Sequence, residues 1–234
     1  MTLELHAPRL FWIAAITPLI LFGASQARAS DSEFNSIHAG ATSVQLLTFG
    51  GGYRGSLRTS GIYLKSHISD RGAIRAGVDL SLDESSGKNP LGPGAENNRR
   101  YYVIVGAELD EYVDASGSVT VFLGVGPYWT RSREFYDRLD VFSPDPSTTY
   151  TYYNSFESRG WEAGGSAVVG VEWFFKRRLS LLGRVGATLG FGKRHERQVA
   201  DSTDPNYVGT VSEFNSSTVQ AGTSTAALGL GIYF

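Results

Sequence analysis

The chain of 234 residues has no cysteine and a single methionine. Without thiols there is neither a disulfide framework nor a thiolate metal site. It has no excess of positive charge: 21 Lys and Arg stand against 23 Asp and Glu, which leaves no footprint for nucleic acid. Proline is sparse, at 8 residues, and the 28 glycines show no three-residue period, so the chain is not collagen-like. Hydrophobic residues still make up 41% of the chain, too many for disorder. What is abundant is glycine and aromatic residues, a composition that points to strands and turns.

The first residues read as an address. Leu10 to Gly23 is apolar apart from Thr17 and Pro18, and Ala27-Arg28-Ala29 supplies a small-residue cleavage pattern. Residues 1–29 are therefore expected to be a signal peptide and 30–37 a short periplasmic N-terminal segment, with residues 38–234 as one domain. Beyond residue 29 no run approaches the roughly 18 apolar residues of a spanning helix.

Strict alternation takes the place of such a run. Ile74, Ala76, Val78 and Leu80 alternate with Arg75, Gly77, Asp79 and Ser81. Val119, Val121, Leu123 and Val125 alternate with Thr120, Phe122, Gly124 and Gly126. The same rhythm recurs around residues 169 and 185, and it ends the chain, where Leu228, Leu230, Ile232 and Phe234 oppose Ala227, Gly229, Gly231 and Tyr233. The pattern predicts eight strands, at 42–53, 58–69, 72–84, 99–113, 118–133, 157–175, 178–197 and 216–234. The first does not choose a face. Short connections fall at 69–71, 114–117 and 176–178, and long polar ones at 85–98, 134–156 and 198–215.

Two closures fit such strands. Stacked sheets could bury the apolar faces against each other, or one sheet could close into a barrel with those faces in lipid. Long strands with short turns alternating with long loops favour the barrel. So do two rows of aromatics: Tyr101, Trp129, Trp161 and Phe191 on the long-loop side, and Trp173, Phe175 and Phe234 on the short-turn side. Trp161 and Trp173 share a face; their separation at ~3.3 Å per residue and a tilt near 40° is roughly 30 Å along the normal, against an apolar band of about 25 Å. In lipid every backbone group must be paired within the protein, so such a sheet must close.

The signal peptide, the alternating strands, Val171-Glu172-Trp173-Phe174-Phe175 before a tight basic turn, and the C-terminal Leu228-Gly-Leu-Gly-Ile-Tyr-Phe234 resemble the small Gram-negative outer-membrane β-barrels of the OmpA/OmpX/opacity-protein type. The resemblance implies an all-β, eight-stranded antiparallel up-and-down transmembrane barrel in the bacterial outer membrane, with its N-terminus periplasmic and its long loops extracellular. It also implies outer-membrane lipids and lipopolysaccharide as surroundings, and recognition of the C-terminal strand ending at Phe234 by the barrel-assembly machinery. It says little about role.

The inward face carries Lys65, Arg75, Asp79, Glu108, Asp110, Glu162, Glu172 and Arg184. An eight-stranded interior is only wide enough for side chains to fill. Arg75, Asp79, Glu108, Glu162, Glu172 and Arg184 are therefore expected to form a charge network that plugs the lumen, with Arg184 as hub and Glu172 its diagonal neighbour. The sharper alternative is a small gated, porin-like pore in which an Arg–Glu pair exchanges partners. A lipid A-modifying enzyme would need a His paired with a Ser. Ser66 and His67 point to opposite faces, and His67 and Ser69 share one but lack the surroundings of the deacylase motif; no catalytic residue is assigned. No metal-ligand or phosphate-loop spacing occurs, so no cofactor is expected. Outside, Tyr136, Tyr150, Tyr152 and Tyr153 make the 134–156 stretch a candidate contact for an extracellular ligand. Arg131, Arg133, Arg159, Lys193, Arg194 and Arg197 gather near the long-loop strand ends, where lipopolysaccharide phosphates would lie.

Overall fold

The computed structural model describes residues 35–50, 57–88, 94–114, 117–145 and 147–234. The expected signal peptide and residues 30–34 lie outside them, as does the tip between the first two strands. The chain forms β1 (Thr42–Gly50), β2 (Leu57–His67), β3 (Gly72–Lys88), β4 (Gly94–Asp114), β5 (Val119–Asp145), β6 (Thr148–Lys176), β7 (Leu179–Ser202) and β8 (Thr210–Tyr233). Each strand pairs antiparallel with its neighbours in sequence, and β1 pairs with β8, so the sheet closes into an all-β barrel with no crossover.

Alternation sets the two faces. Val119, Val121, Leu123 and Val125 of β5 are exposed on the outer wall, while Thr120 and Phe122 between them are wholly buried inside. β1, whose pattern alone does not choose, follows its neighbours. Ser43, Gln45 and Leu47 point inward and Leu46 outward, because Leu46 pairs with outward Ile62 and Leu230. A one-residue slip there would turn every side chain over.

The strands run further than the apolar pattern. The stretches at 85–98, 134–156 and 198–215, expected as long loops, are for the most part paired strand, and β5 and β6 reach 27 and 29 residues. Alternation marks a strand only where one face meets an apolar medium. Beyond that level apolar residues such as Leu139, Phe142 and Phe214 are scattered among polar ones without a sustained period of two, yet the backbone ladder continues. Cross-strand pairs support it: Arg133 Nη2 lies 2.7 Å from Glu157 Oε1, Arg100 Nε donates to Glu134 Oε1 at 2.6 Å, and Tyr153 OH donates to Asp137 Oδ1 at 3.1 Å. The wall is uneven, because β1 and β2 have only 9 and 11 residues. A register shift on β8 moves the pairing from Arg184↔Ala227 to Gly186↔Ser224. The shift lets the polar residues Gln220, Thr218 and Ser216 sit opposite inward Gly190, Gly192 and Arg194.

The N-terminal segment laces across the short-turn end. Asn35 Nδ2 donates to the Gly117 carbonyl at 2.8 Å, and Ser36 Oγ to the Arg177 carbonyl at 2.6 Å. The Ala39 amide donates to Asp70 Oδ1 at 3.1 Å. Three separate turns are thereby tied to one peptide. Gly40, with φ of 87°, makes the bend into β1, a conformation that a side chain would oppose. Ile37 and Ala41 close the base against Tyr112, Phe174 and Tyr233.

Candidate functional site in the barrel lumen

The short-turn half of the lumen is filled by charge. Lys65 on β2 and Glu172 on β6 project from opposite walls and meet at 2.7 Å, both fully buried. A narrow barrel allows this, since the cross-lumen distance is spanned by two long side chains. Glu172 is satisfied at both oxygens: Tyr112 OH donates to Oε2 at 2.7 Å, and Ser180 Oγ and Tyr233 OH donate to Oε1 at 2.6 and 2.9 Å. Lys65 also contacts Tyr112 OH, and donates to Tyr233 OH at 3.2 Å. Its ammonium stands 4.7 Å from the centre of the Tyr112 ring. A carboxylate with four donors and an ammonium with three oxygens is the arrangement under which a buried ion pair is tolerable.

A second group sits one step along the barrel. Arg75, wholly buried, lies 2.7 Å from Asp110 Oδ2 through Nη2, out of line for a hydrogen bond, so this contact is Coulombic. Its Nη1 reaches Glu108 Oε2 at 3.4 Å, and Arg184 Nη2 takes Glu108 Oε1. Glu108 is thus shared by two guanidiniums. The Arg75 guanidinium also lies 4.8 Å from the centre of the Phe122 ring. That ring occupies the space a side chain at Gly170 would need. Tyr63 OH donates to Asp79 Oδ2, and nearer the open end Tyr128 OH donates to Glu162 Oε1.

The six residues expected to form one network therefore fall into four groups. Arg75, Glu108 and Arg184 come together, Asp79 pairs with Tyr63, Glu162 with Tyr128, and Glu172 with Lys65. Arg184 is not the hub. Its register places it opposite Gly170, diagonal to Glu172, but its guanidinium turns to Glu108 while Lys65 holds Glu172. The residues without a place in the expected network are Lys65, Asp110 and the tyrosines 63, 112, 128 and 233. Their inward parity is legible in the alternation; which wall meets which is fixed only by closure.

Beyond Arg184 the lumen opens. Glycines 160 and 192 and small hydroxyl residues, Thr130, Ser132, Ser216 and Thr218, line a cavity of about 660 Å³ with Glu162 and Arg194. His67 lies at the closed base between the rings of Tyr112 and Tyr233, at 5.4 and 6.0 Å. Ser69, on the same side in sequence, instead accepts from the amides of Arg71 and Gly72 in the turn.

Aromatic residues stud the outer wall at two levels. Trp161 packs edge-on to Phe191 with ring centres 5.7 Å apart, and Trp173 and Phe175 are 6.1 Å apart at the other end. Tyr101 and Phe234 are exposed, and Trp129 is half-buried. The tyrosines at 136, 150, 152 and 153 sit on strands, not on a loop. Tyr152 packs edge-on against Tyr207 at 5.8 Å, while Tyr153 bonds Asp137.

No protein-family model matches the chain, and no curated protein matches it. Among solved structures it is similar to a major outer membrane protein from Thermus thermophilus, at 14% identity and a TM-score of 0.41, over 83% of this chain and 98% of that one. It is also similar to CarO2 of Acinetobacter baumannii, at 9% identity and a TM-score of 0.42, over 86% of this chain and 100% of that one. A third is the N-terminal β-barrel domain of Pseudomonas aeruginosa OprF, at 10% identity and a TM-score of 0.32, over 83% of this chain and 97% of that one.

Proposed function

We propose that the protein is an integral barrel of the bacterial outer membrane that performs no chemistry of its own. It contributes to the envelope and offers the tall wall of β3–β8 to the cell exterior for contacts, with the short turns and the N-terminus in the periplasm. The observation that carries this reading is the inversion of faces. Leu46, Val125, Leu181, Val185 and Leu230 are exposed on the outer wall, while Lys65, Arg75 and Glu172 are fully buried inside. That is the distribution a barrel takes when its solvent is hydrocarbon and its interior is polar. The aromatic rows bound the apolar band on both sides.

Electrophoresis of boiled and unboiled samples of the protein folded in detergent tests the closed sheet. A heat-dependent shift in mobility is expected, because opening the barrel unpairs a whole strand ladder. Identical mobility contradicts the reading.

A second reading, a small gated pore, is favoured by one observation: Glu108 is held by both Arg75 and Arg184, so its release from one leaves the other in place. Planar-bilayer recording separates the two, a silent bilayer supporting the sealed barrel and discrete conductance steps the pore. Lipid A modification is the remaining alternative, and mass spectrometry of lipid A from cells with and without the protein decides it; unchanged lipid A is expected.

A further inference from the structure

Two rows of inward residues cross the open half of the lumen. One runs Ile104↔Thr130↔Glu162↔Gly192↔Thr218 from β4 to β8, and the next, further from the short turns, Tyr102↔Ser132↔Gly160↔Arg194↔Ser216. Each row has a glycine beside a long side chain, which hollows the wall into the cavity of about 660 Å³. That size falls within the roughly 300–1,000 Å³ of small-molecule sites. Ser216 and Thr218 are exposed, so the cup is open to solvent.

The floor of the cup is fixed. Tyr128, in the row beneath, extends over Gly190, where a Cβ would strike its hydroxyl, and that hydroxyl donates to Glu162 Oε1. Among the described residues Glu162 Oε2 has no partner, and neither do the hydroxyls of Thr130, Ser132, Ser216 and Thr218. The inward charges at the rim are already matched: Arg194 Nη1 lies 3.5 Å from Glu196 Oε1, and Arg100 Nε donates to Glu134 Oε1 at 2.6 Å. Lys193 pairs in register with Trp161 on the outer face. An anion would therefore meet a carboxylate with no free cation beside it, and an apolar molecule would strand the polar lining. A polyol fits every group present: its hydroxyls donate to the carboxylate and bond in both directions with Ser and Thr.

We propose that this cup, at the open end of the lumen, binds one or two rings of a neutral sugar. Glu162 Oε2 is the anchoring acceptor for a pair of neighbouring hydroxyls, and Thr130, Ser132, Ser216 and Thr218 take the others. Tyr102, which lines the same cavity, offers its ring to the C–H face of the sugar. Hydrogen bonds to an ionised group are the strong ones, so the carboxylate supplies most of the affinity and the hydroxyls the orientation. Tyr128 holds the carboxylate in place before the ligand arrives. The proposal goes beyond the envelope reading: it gives the open half of the lumen a ligand, and it needs only the closed barrel.

The test is calorimetric titration of the folded protein, in a detergent without sugar headgroups, with glucose, galactose, N-acetylglucosamine and maltose in turn. Saturable binding of at least one is expected. Glu162→Gln should weaken it by about tenfold or more, because the amide oxygen still accepts from Tyr128 but the amide nitrogen replaces the free acceptor. Thr218→Trp, which fills the cup, should weaken it at least as much. Ser217→Trp, next to it on β8 but opposite outward Lys193, should leave binding unchanged. Heat-dependent mobility of each variant certifies that it is folded. A folded protein that binds none of the four sugars, parental affinity in Glu162→Gln, or equal loss in the two Trp variants overturns the cup and leaves the envelope reading standing. Displacement of the sugar by an equal concentration of ethylammonium assigns the carboxylate to cations and also overturns it.

Discussion

β5 and β6 pass through two environments, and their two halves are stabilised by different means. Near the short turns, from Val119 to Thr130 and from Glu162 to Trp173, the outside is apolar and the inside holds charges removed from water, Glu172 with four donors and Asp110 facing Arg75 without a hydrogen bond. Past Trp161 the same ladder continues with ion pairs of half-exposed groups, such as Arg133 with Glu157, whose side chains are 48% and 24% exposed. A buried pair is costly to break, because the surviving charge has no water to turn to. An exposed pair gives up little, because water replaces the partner. Identical secondary structure thus conceals unequal energetics: the near half anchors the fold, and the far half is free to vary in its surface chemistry.

The largest effect should come from breaking the cross-lumen pair. Lys65→Ala leaves Glu172 buried and without its cation, at a cost of about 3–5 kcal/mol, read by urea unfolding in lipid vesicles. Next are charges placed on the lipid face. Val185→Arg and Leu230→Arg should each cost roughly 2–4 kcal/mol, whereas Thr188→Arg, which faces the open part of the lumen, should fold in near-parental yield. Equal yields for all three would overturn the assignment of faces.

Arg184→Ala should be milder than Lys65→Ala. Glu108 keeps Arg75, so the expected loss is about 1–3 kcal/mol in the same unfolding assay. The smallest effect belongs to the far half, where Arg133→Gln should change stability by less than about 1 kcal/mol. The carboxyl of Glu157 is held below its ordinary value, first by the hydrogen bond from Arg159 and then by Arg133. Its small contribution is therefore present above the unfolded carboxylate's pKa and fades as pH falls through the lowered folded value. A parent-minus-Glu157→Gln difference in stability that grows on acidification would contradict this sign.

Strand count, the faces and the aromatic rows were legible because a wall apolar outside and polar inside imposes a period of two that survives in the sequence. Val119 to Val125 and Leu228 to Phe234 display it without interruption. The far extensions were not legible: in residues 134–156 apolar residues such as Phe135, Leu139 and Phe142 are scattered among polar ones and Pro144 and Pro146 interrupt them, so no period of two is sustained. The lumen was half legible. Parity places Lys65, Arg75, Glu108, Glu172 and Arg184 inside, and antiparallel neighbours such as Glu172 and Arg184 can be brought near by counting from the turn. Lys65 and Glu172 come from β2 and β6, on opposite walls, and only the diameter and stagger of the closed barrel bring them to 2.7 Å. Tyr112 and Tyr233 complete that site for the same reason.

Amide hydrogen exchange of the protein in lipid bilayers tests the division of the strands most directly. The account predicts that amides of 119–131 and 161–175 stay protected over hours, because opening them exposes backbone to hydrocarbon and strands buried charge. Amides of 135–156 should exchange through local opening, orders of magnitude sooner. Equal protection of the two stretches would contradict it.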